Sequence, residues 1–292
     1  MFQGVSEQTT KTVPVADPQM AAICDDLEAE TADLLKLIVP LSPLHWDLDT
    51  PAEGWSVRDA ISHLSFFDET GNLAATDPEA FAASAKVLMA DPDPGVGGIT
   101  KGRSMKSVEV LNWFICARSA MIANFRGLDA KTRLPWYGPA MGALSFATAR
   151  LMETWAHGQD VADTLGAVRP ESNRLKHIAH IGVRARPYSY MINNKELPAS
   201  EVAVRLAAPD GSRWTWNDEA ASDNLVTGNA LDFCLVVTQR RNIADTALVV
   251  TGDAATEWIG FAQAFAGGAG AGRAPGQFKK SSTKSSAKSS TD

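Results

Sequence analysis

From Met141 to Gly166 the chain is strongly apolar, with Leu144, Phe146, Ala147, Ala149, Leu151, Met152, Trp155, Ala156, Val161 and Leu165 filling most positions. Against that background Arg150, Glu153, His157, Asp160 and Thr164 recur at 3,4,3,4 spacing, the period of one narrow stripe along an α-helix. Such a helix buries most of its surface, and its stripe faces either solvent or a polar cavity. Within the stripe, Glu153 and His157 stand four residues apart, which puts their Cβ atoms about 5–6 Å from each other on one face. A Glu-x-x-x-His pair often arises by chance, and single Glu or His residues on helices are usually surface groups. The apolar setting is what raises this pair above that background.

A second imidazole from another helix would complete a facial metal site with open positions, a catalytic arrangement. The candidate is His63, in Trp55-Ser56-Val57-Arg58-Asp59-Ala60-Ile61-Ser62-His63. Ser56 reads as the cap of a helix whose apolar face is Val57, Ala60, Ile61, Leu64 and Phe67, with Asp59 at the third helical position as an acidic variant of the capping box. Asp59 lies one turn before His63 and could also orient that imidazole, although capping already accounts for it.

The rest of the first half is also helical. Pro18 to Val39 carries Met20, Ile23, Leu27, Leu34, Leu35 and Ile38 at helical spacing and is stopped by Pro40 and Pro43. Asp77-Pro78-Glu79 begins a helix through Met89, and Arg103 to Leu128 reads as one long helix. Leu134 to Met141 is rich in aromatic and rigid residues, suited to a pocket rim or to an ordinary packed loop. Four long amphipathic helices with a site between facing members describe a four-helix bundle.

The second half changes character. Glu201 to Leu206 alternates like a strand, Pro209-Asp210-Gly211-Ser212 is a hairpin turn, and Arg213-Trp214-Thr215-Trp216 returns. Leu231 to Val237 reads as a buried helix, Thr246 to Thr251 as a strand and Ala254 to Phe265 as a final helix.

Composition bounds the function. The 292 residues are 45% hydrophobic with 8 Trp, enough for an ordinary core and about two domains. The formal charge is −7, and the basic residues of the last twenty positions leave the remainder more acidic still, which argues against nucleic acid as a partner. Cys24, Cys116 and Cys234 are odd in number and widely spaced, so they form neither a disulfide framework nor a zinc ribbon, and a reducing cytoplasm is expected. The N-terminus has no secretory pattern, and no apolar run approaches the roughly 18 residues that span a bilayer, so no membrane partner is expected. Residues 1–17 and the Lys/Ser-rich residues 268–292 read as disordered.

Gly54-Trp55-x-x-x-Asp59-x-x-x-His63-Leu64, followed by Glu153-x-x-x-His157-Gly158-x-Asp160, resembles the DinB/YfiT-like metalloenzymes, and within them the mycothiol-dependent maleylpyruvate isomerase family. The resemblance runs from about Pro18 to Phe265. It implies an α+β protein: a DinB-like four-helix bundle over 18–170 that carries the metal site, then a small α/β domain, similar to sterol-carrier domains, over 171–267. It also implies a divalent metal, zinc above others, held by His63, Glu153 and His157, and a low-molecular-weight thiol such as mycothiol as cosubstrate. A divalent cation held by three protein ligands leaves a position where a thiol loses its proton or a water is brought toward neutral pKa. Arg240 falls where related C-terminal domains carry an arginine facing the pocket, which implies a role in binding substrate carboxylate. A surface arginine is an equal reading.

The leading reading is therefore a thiol-dependent isomerase or transferase acting on a small unsaturated or electrophilic acid. A metal-dependent hydrolase or hydratase using bound water is the alternative, and a non-catalytic metal- or ligand-binding protein the third. The partner is a small molecule, with a homodimer left open. His177 and His180 lack a completing carboxylate and read as surface or interface polars, and nothing supports His45 as a ligand.

Overall fold

The computed structural model describes residues 17–90, 98–218 and 223–278. It is an α+β protein with a helical N-terminal part and a small α/β C-terminal part. By Cα proximity the chain divides into two compact units, one up to Trp46 and over Arg58–Arg150, the other over Asp47–Val57 and from Leu151 onward.

The first unit begins with α1 (Pro18–Ile38), where the Asp17 carboxylate accepts from the Gln19 and Met20 amides and Pro18 occupies the first turn, the residues that favour a helix start. Its buried face is Met20, Ile23, Cys24, Leu27, Leu34 and Ile38, the 3,4 stripe of the sequence. After α2 (Val57–Thr76), Asp77 caps the Ala80 amide and opens α3 (Pro78–Met89). The helix expected from Arg103 to Leu128 is α5 (Ser107–Phe125), starting four residues later, and a short helix that the sequence reading did not expect, α4 (Ile99–Arg103), precedes it. The later start is local chemistry: the Glu109 carboxylate turns back to accept the Lys106 amide at 2.6 Å, which starts the helix there. A two-stranded antiparallel ribbon, β1 (Arg133–Leu134) with β2 (Met141–Gly142), leads into α6 (Ala143–Leu165), the helix of the polar stripe.

Charge is also buried in this unit. Asp68 on α2 accepts Arg118 Nε of α5 at 2.7 Å and Arg150 Nε of α6 at 3.1 Å, while Arg118 Nη1 donates to Thr31 of α1 at 2.6 Å. One carboxylate thus ties the backbones of several helices together through paired, hydrogen-bonded charges.

In the second unit a short segment folds on itself: Asp49 bridges to Ser56, and the Thr50 amide donates to Trp55 O at 2.7 Å. Helices α7 (Leu175–Arg184) and α8 (Arg186–Ile192) precede a four-stranded sheet of β3 (Ala203–Ala207), β4 (Arg213–Trp216), β5 (Leu225–Asn229) and β6 (Val249–Thr251) in the order β4-β3-β5-β6. The expected hairpin is present, with Leu206 opposite Trp214 in an antiparallel pair. Strand β5, which the alternation did not reveal, runs parallel to β3. Helix α9 (Ala230–Val237) is capped by Asn229 and buried on nearly every face, and α10 (Asp253–Ile259) is shorter than the helix expected from Ala254 to Phe265. Gly182 of α7 approaches Val237 so closely that a Cβ there would stand 2.7 Å from its Cγ2.

The expectation of disorder for 1–17 lies outside the described residues apart from Asp17, which is held in its cap. Residues 268–278, expected to begin the disordered tail, are anchored: Gly270 N donates to Gln263 Oε1, Gly276 N to the Asp245 carboxylate, and Asn242 Nδ2 to Arg273 O. These backbone-to-side-chain bonds to residues far back in the chain supply a reason to order a segment that the composition alone does not disclose. Residues 279–292 lie outside the described residues. No helix among those described is long and apolar enough to cross a membrane.

Candidate metal centre

Glu153 and His157 occupy successive turns of α6, and Glu153 Oε2 lies 3.4 Å from His157 Nε2. Two donors bound to one tetrahedral zinc at about 2.0–2.1 Å stand about 3.3–3.4 Å apart. The pair is thus already spaced as two ligands of one ion. His63, on α2 of the first unit, is the third residue of the set that could hold such an ion. Two imidazoles and one carboxylate form a mixed nitrogen and oxygen donor set that suits zinc and related divalent ions.

His157 is buried and held on two sides. The Trp55 indole stacks on its ring at 5.4 Å between centroids and 2° between planes, and the Thr50–Trp55 turn positions that indole. Its other nitrogen, Nδ1, faces Asp160 Oδ2 at 3.5 Å. Burial alone would lower the His157 pKa, but the Asp160 and Glu153 carboxylates, which accept from the ring, more than offset it and the net direction is upward. Asp160 is 1% exposed; burial would raise its pKa, but the Arg240 charge and the His157 hydrogen bond hold it well below the ordinary carboxylate value. Arg240 Nη2 donates to Asp160 Oδ2 at 2.8 Å and Arg273 Nη2 to Oδ1 at 3.2 Å.

His63 is bordered by the edge of Phe67, with centroids 4.6 Å apart. Phe67 in turn meets Trp136 and Tyr137, which come from the loop joining β1 and β2 and also contact Phe81. The aromatic approach to α6 therefore packs into the helical unit.

Arg240 is buried, with Nη1 donating to Thr238 O at 2.7 Å and Nη2 committed to Asp160. Asp59 receives Arg103 in a two-pronged pair at 2.9 Å through each oxygen. His177 and His180 lie on α7, where His180 Nδ1 accepts from Trp216 Nε1, and His45 sits on the surface with Ser42. Sequence reading left Asp160, Trp55 and Arg273 without a role. The first two had a signal, since Asp160 lies on the polar stripe three residues after His157 and Trp55 belongs to the quoted Gly-Trp motif. Arg273 had none.

Fold and side-chain set place the molecule in the DinB-like class, with an added α/β part. Residues 27–162 match the family model described as mycothiol maleylpyruvate isomerase N-terminal domain. Two uncharacterized proteins from strains of Mycobacterium tuberculosis are each 40% identical over 260 residues, spanning 89% of this chain and 100% of theirs. Crystal structures of the mycothiol-dependent maleylpyruvate isomerase and of a point mutant of it share the fold, with a TM-score of 0.54 at 13% and 14% identity over 76% of this chain and 90% of theirs. The chain belongs to the mycothiol maleylpyruvate isomerase-like family.

Proposed function

We propose that the protein is a cytoplasmic, metal-dependent enzyme that activates a low-molecular-weight thiol, mycothiol or a relative, to isomerise or add to a small unsaturated or electrophilic acid in the manner of maleylpyruvate isomerase. The observation that carries this reading is the 3.4 Å spacing of the Glu153 and His157 donors on one helix, in a chain of this family that also offers His63. His63, Glu153 and His157 would hold a divalent metal, zinc first among candidates, which would supply an electrophilic position that lowers the pKa of a bound thiol toward neutral.

Each residue then has a task. Glu153 and His157 present donors from one helix face. Asp160 Oδ2 faces His157 Nδ1 at 3.5 Å and so favours the ring orientation that leaves Nε2 to face outward as a ligand. Trp55 covers the imidazole face and limits water there. Arg240 keeps guanidinium donors beyond those spent on Thr238 and Asp160, and these suit a substrate carboxylate. A thiolate so formed adds reversibly to an activated double bond, lets the resulting single bond rotate, and leaves with the alkene re-formed.

The test is metal analysis followed by a thiol-dependence assay on unsaturated dicarboxylic and keto acids. Purified protein is expected to carry about one divalent ion per chain, and His63→Ala, Glu153→Ala and His157→Ala each to lose it while remaining folded, because a three-ligand site has no spare donor. Full occupancy in all three variants would refute the ligand assignment. Full turnover without thiol would replace the thiol with metal-activated water as the nucleophile.

A further inference from the structure

Beyond α10 the chain runs without regular structure to Phe278, yet it is fastened along its length. Tyr188 Oη donates to Gly267 O at 2.6 Å and accepts the Gly267 amide at 2.9 Å. The buried Gln263 side chain donates to Phe265 O and Gly268 O and accepts the Gly270 amide. Farther on, Asn242 holds Arg273 O at 2.9 Å, the Asp245 carboxylate holds the Gly276 amide, and the Arg241 guanidinium lies 4.1 Å from the Phe278 ring centroid. These anchors lie on both sides of Arg273, whose side chain is 15% exposed and reaches Asp160.

We infer that Arg273 is a positioning residue of the metal centre proposed above: with Arg240 it clamps the Asp160 carboxylate by its two oxygens, so that Asp160 holds His157 with Nε2 presented to the ion. The inference rests on the metal reading. Its physical basis is that a carboxylate gripped at one oxygen can swing about its Cβ–Cγ bond, whereas one gripped at both has its plane set. Arg240 takes Oδ2 at 2.8 Å, the same oxygen that faces His157 Nδ1 at 3.5 Å, and Arg273 takes Oδ1 at 3.2 Å. Partners of this kind orient a ligating histidine and select its tautomer, and their loss typically lowers metal affinity about 10–100-fold. Arg273 lies outside residues 27–162, so the C-terminal segment contributes to a site whose Asp160 and His157 precede it by more than a hundred positions.

The experiment compares zinc affinity, measured by chelator competition, and thermal unfolding of the metal-free protein for wild type, Arg273→Ala and Arg273→Lys. Arg273→Ala is expected to bind zinc about tenfold more weakly with little change in metal-free unfolding, and Arg273→Lys, which keeps the charge, to recover most of the loss. Unchanged zinc affinity in Arg273→Ala, beside a wild type that binds the metal, overturns the clamp alone. Loss of affinity matched by an equal loss of metal-free stability, unrelieved by lysine, overturns it in favour of simple packing. A wild type that takes up no zinc overturns the metal reading and the clamp with it.

Discussion

Asp68 is fully buried and receives guanidinium groups from two helices, so its charge is part of how the first unit closes. Asp68→Asn keeps the shape but removes the counter-charge of Arg118 and Arg150, which are 2% and 4% exposed. Breaking a buried pair at one member costs about 3–5 kcal/mol, so denaturant unfolding is expected to shift to a markedly lower midpoint with an unchanged slope. A shift below about 1 kcal/mol, the scale of an exposed ion pair, would show that the cluster is solvated in solution. His180 offers a gentler probe. Desolvation, with the nearby Arg184 and His177, lowers its pKa, and its Nδ1 already accepts from Trp216. A histidine lowered in the folded state contributes stability that is complete above its ordinary value of 6.5 and is lost as pH falls through the folded value. Wild type should therefore lose more stability between pH 7.5 and pH 5.5 than His180→Gln, as read from paired denaturation midpoints. Equal losses would mean that His180 plays no part. At this scale Glu153 and His157 were legible as candidate ligands because helical spacing is written in sequence, and His63 was legible through the motif that carries it. Asp160 was visible on the same stripe, but its place beside His157 Nδ1 was not, since that depends on which rotamers the folded chain selects.

Elements were legible where pattern and capping agree and not where a neighbour decides. Helices α1, α3 and α6 begin and end within a few residues of their sequence signals, because Asp17-Pro18, Asp77-Pro78 and the 3,4 stripe act locally. Strand β5 was missed because a strand pairing parallel to β3 and antiparallel to β6 has no need of alternation, and its Leu225-Val-Thr-Gly-Asn run is too short to stand out. Helix α4 places Gly102 directly on α2, beside the helix position that precedes His63. A Cβ at Gly102 would stand 1.8 Å from Ser62 Oγ and 2.5 Å from Ser62 Cβ, and rotation of the hydroxyl relieves only the first clash. Gly102→Ala should accordingly destabilise by about 1–3 kcal/mol, the usual cost of overpacking, and Gly102→Ala combined with Ser62→Gly should recover most of it. Failure of the double variant to recover would place the cost in the α4 backbone instead.

For the whole molecule, the C-terminal segment separates into a part that the fold holds and a part that composition alone describes. Ordering Lys279 to Asp292 would cost conformational entropy with no apolar burial to offset it, so deleting 279–292 is expected to leave the melting temperature unchanged. Deleting from Pro275 should lower it, because the Gly276 bonds to Asp245 and the Phe278 ring against Arg241 go with it. Equal melting temperatures for the two truncations would show that those contacts contribute nothing. By itself the sequence determined the fold class, the succession of helices followed by a small sheet, and which three side chains could share an ion. Periodicity, caps and turn residues are local and act wherever the chain goes. What only tertiary structure decided was that Arg240 and Arg273, eighty and more positions after Asp160, converge on its two oxygens, that Trp55 lies flat on His157, and that a segment of small and polar residues after Gly267 is fastened in place. Those are contacts between residues far apart in the chain. No local pattern encodes them, because the partner that satisfies a buried carboxylate or covers an imidazole is chosen by where the folded backbone brings it.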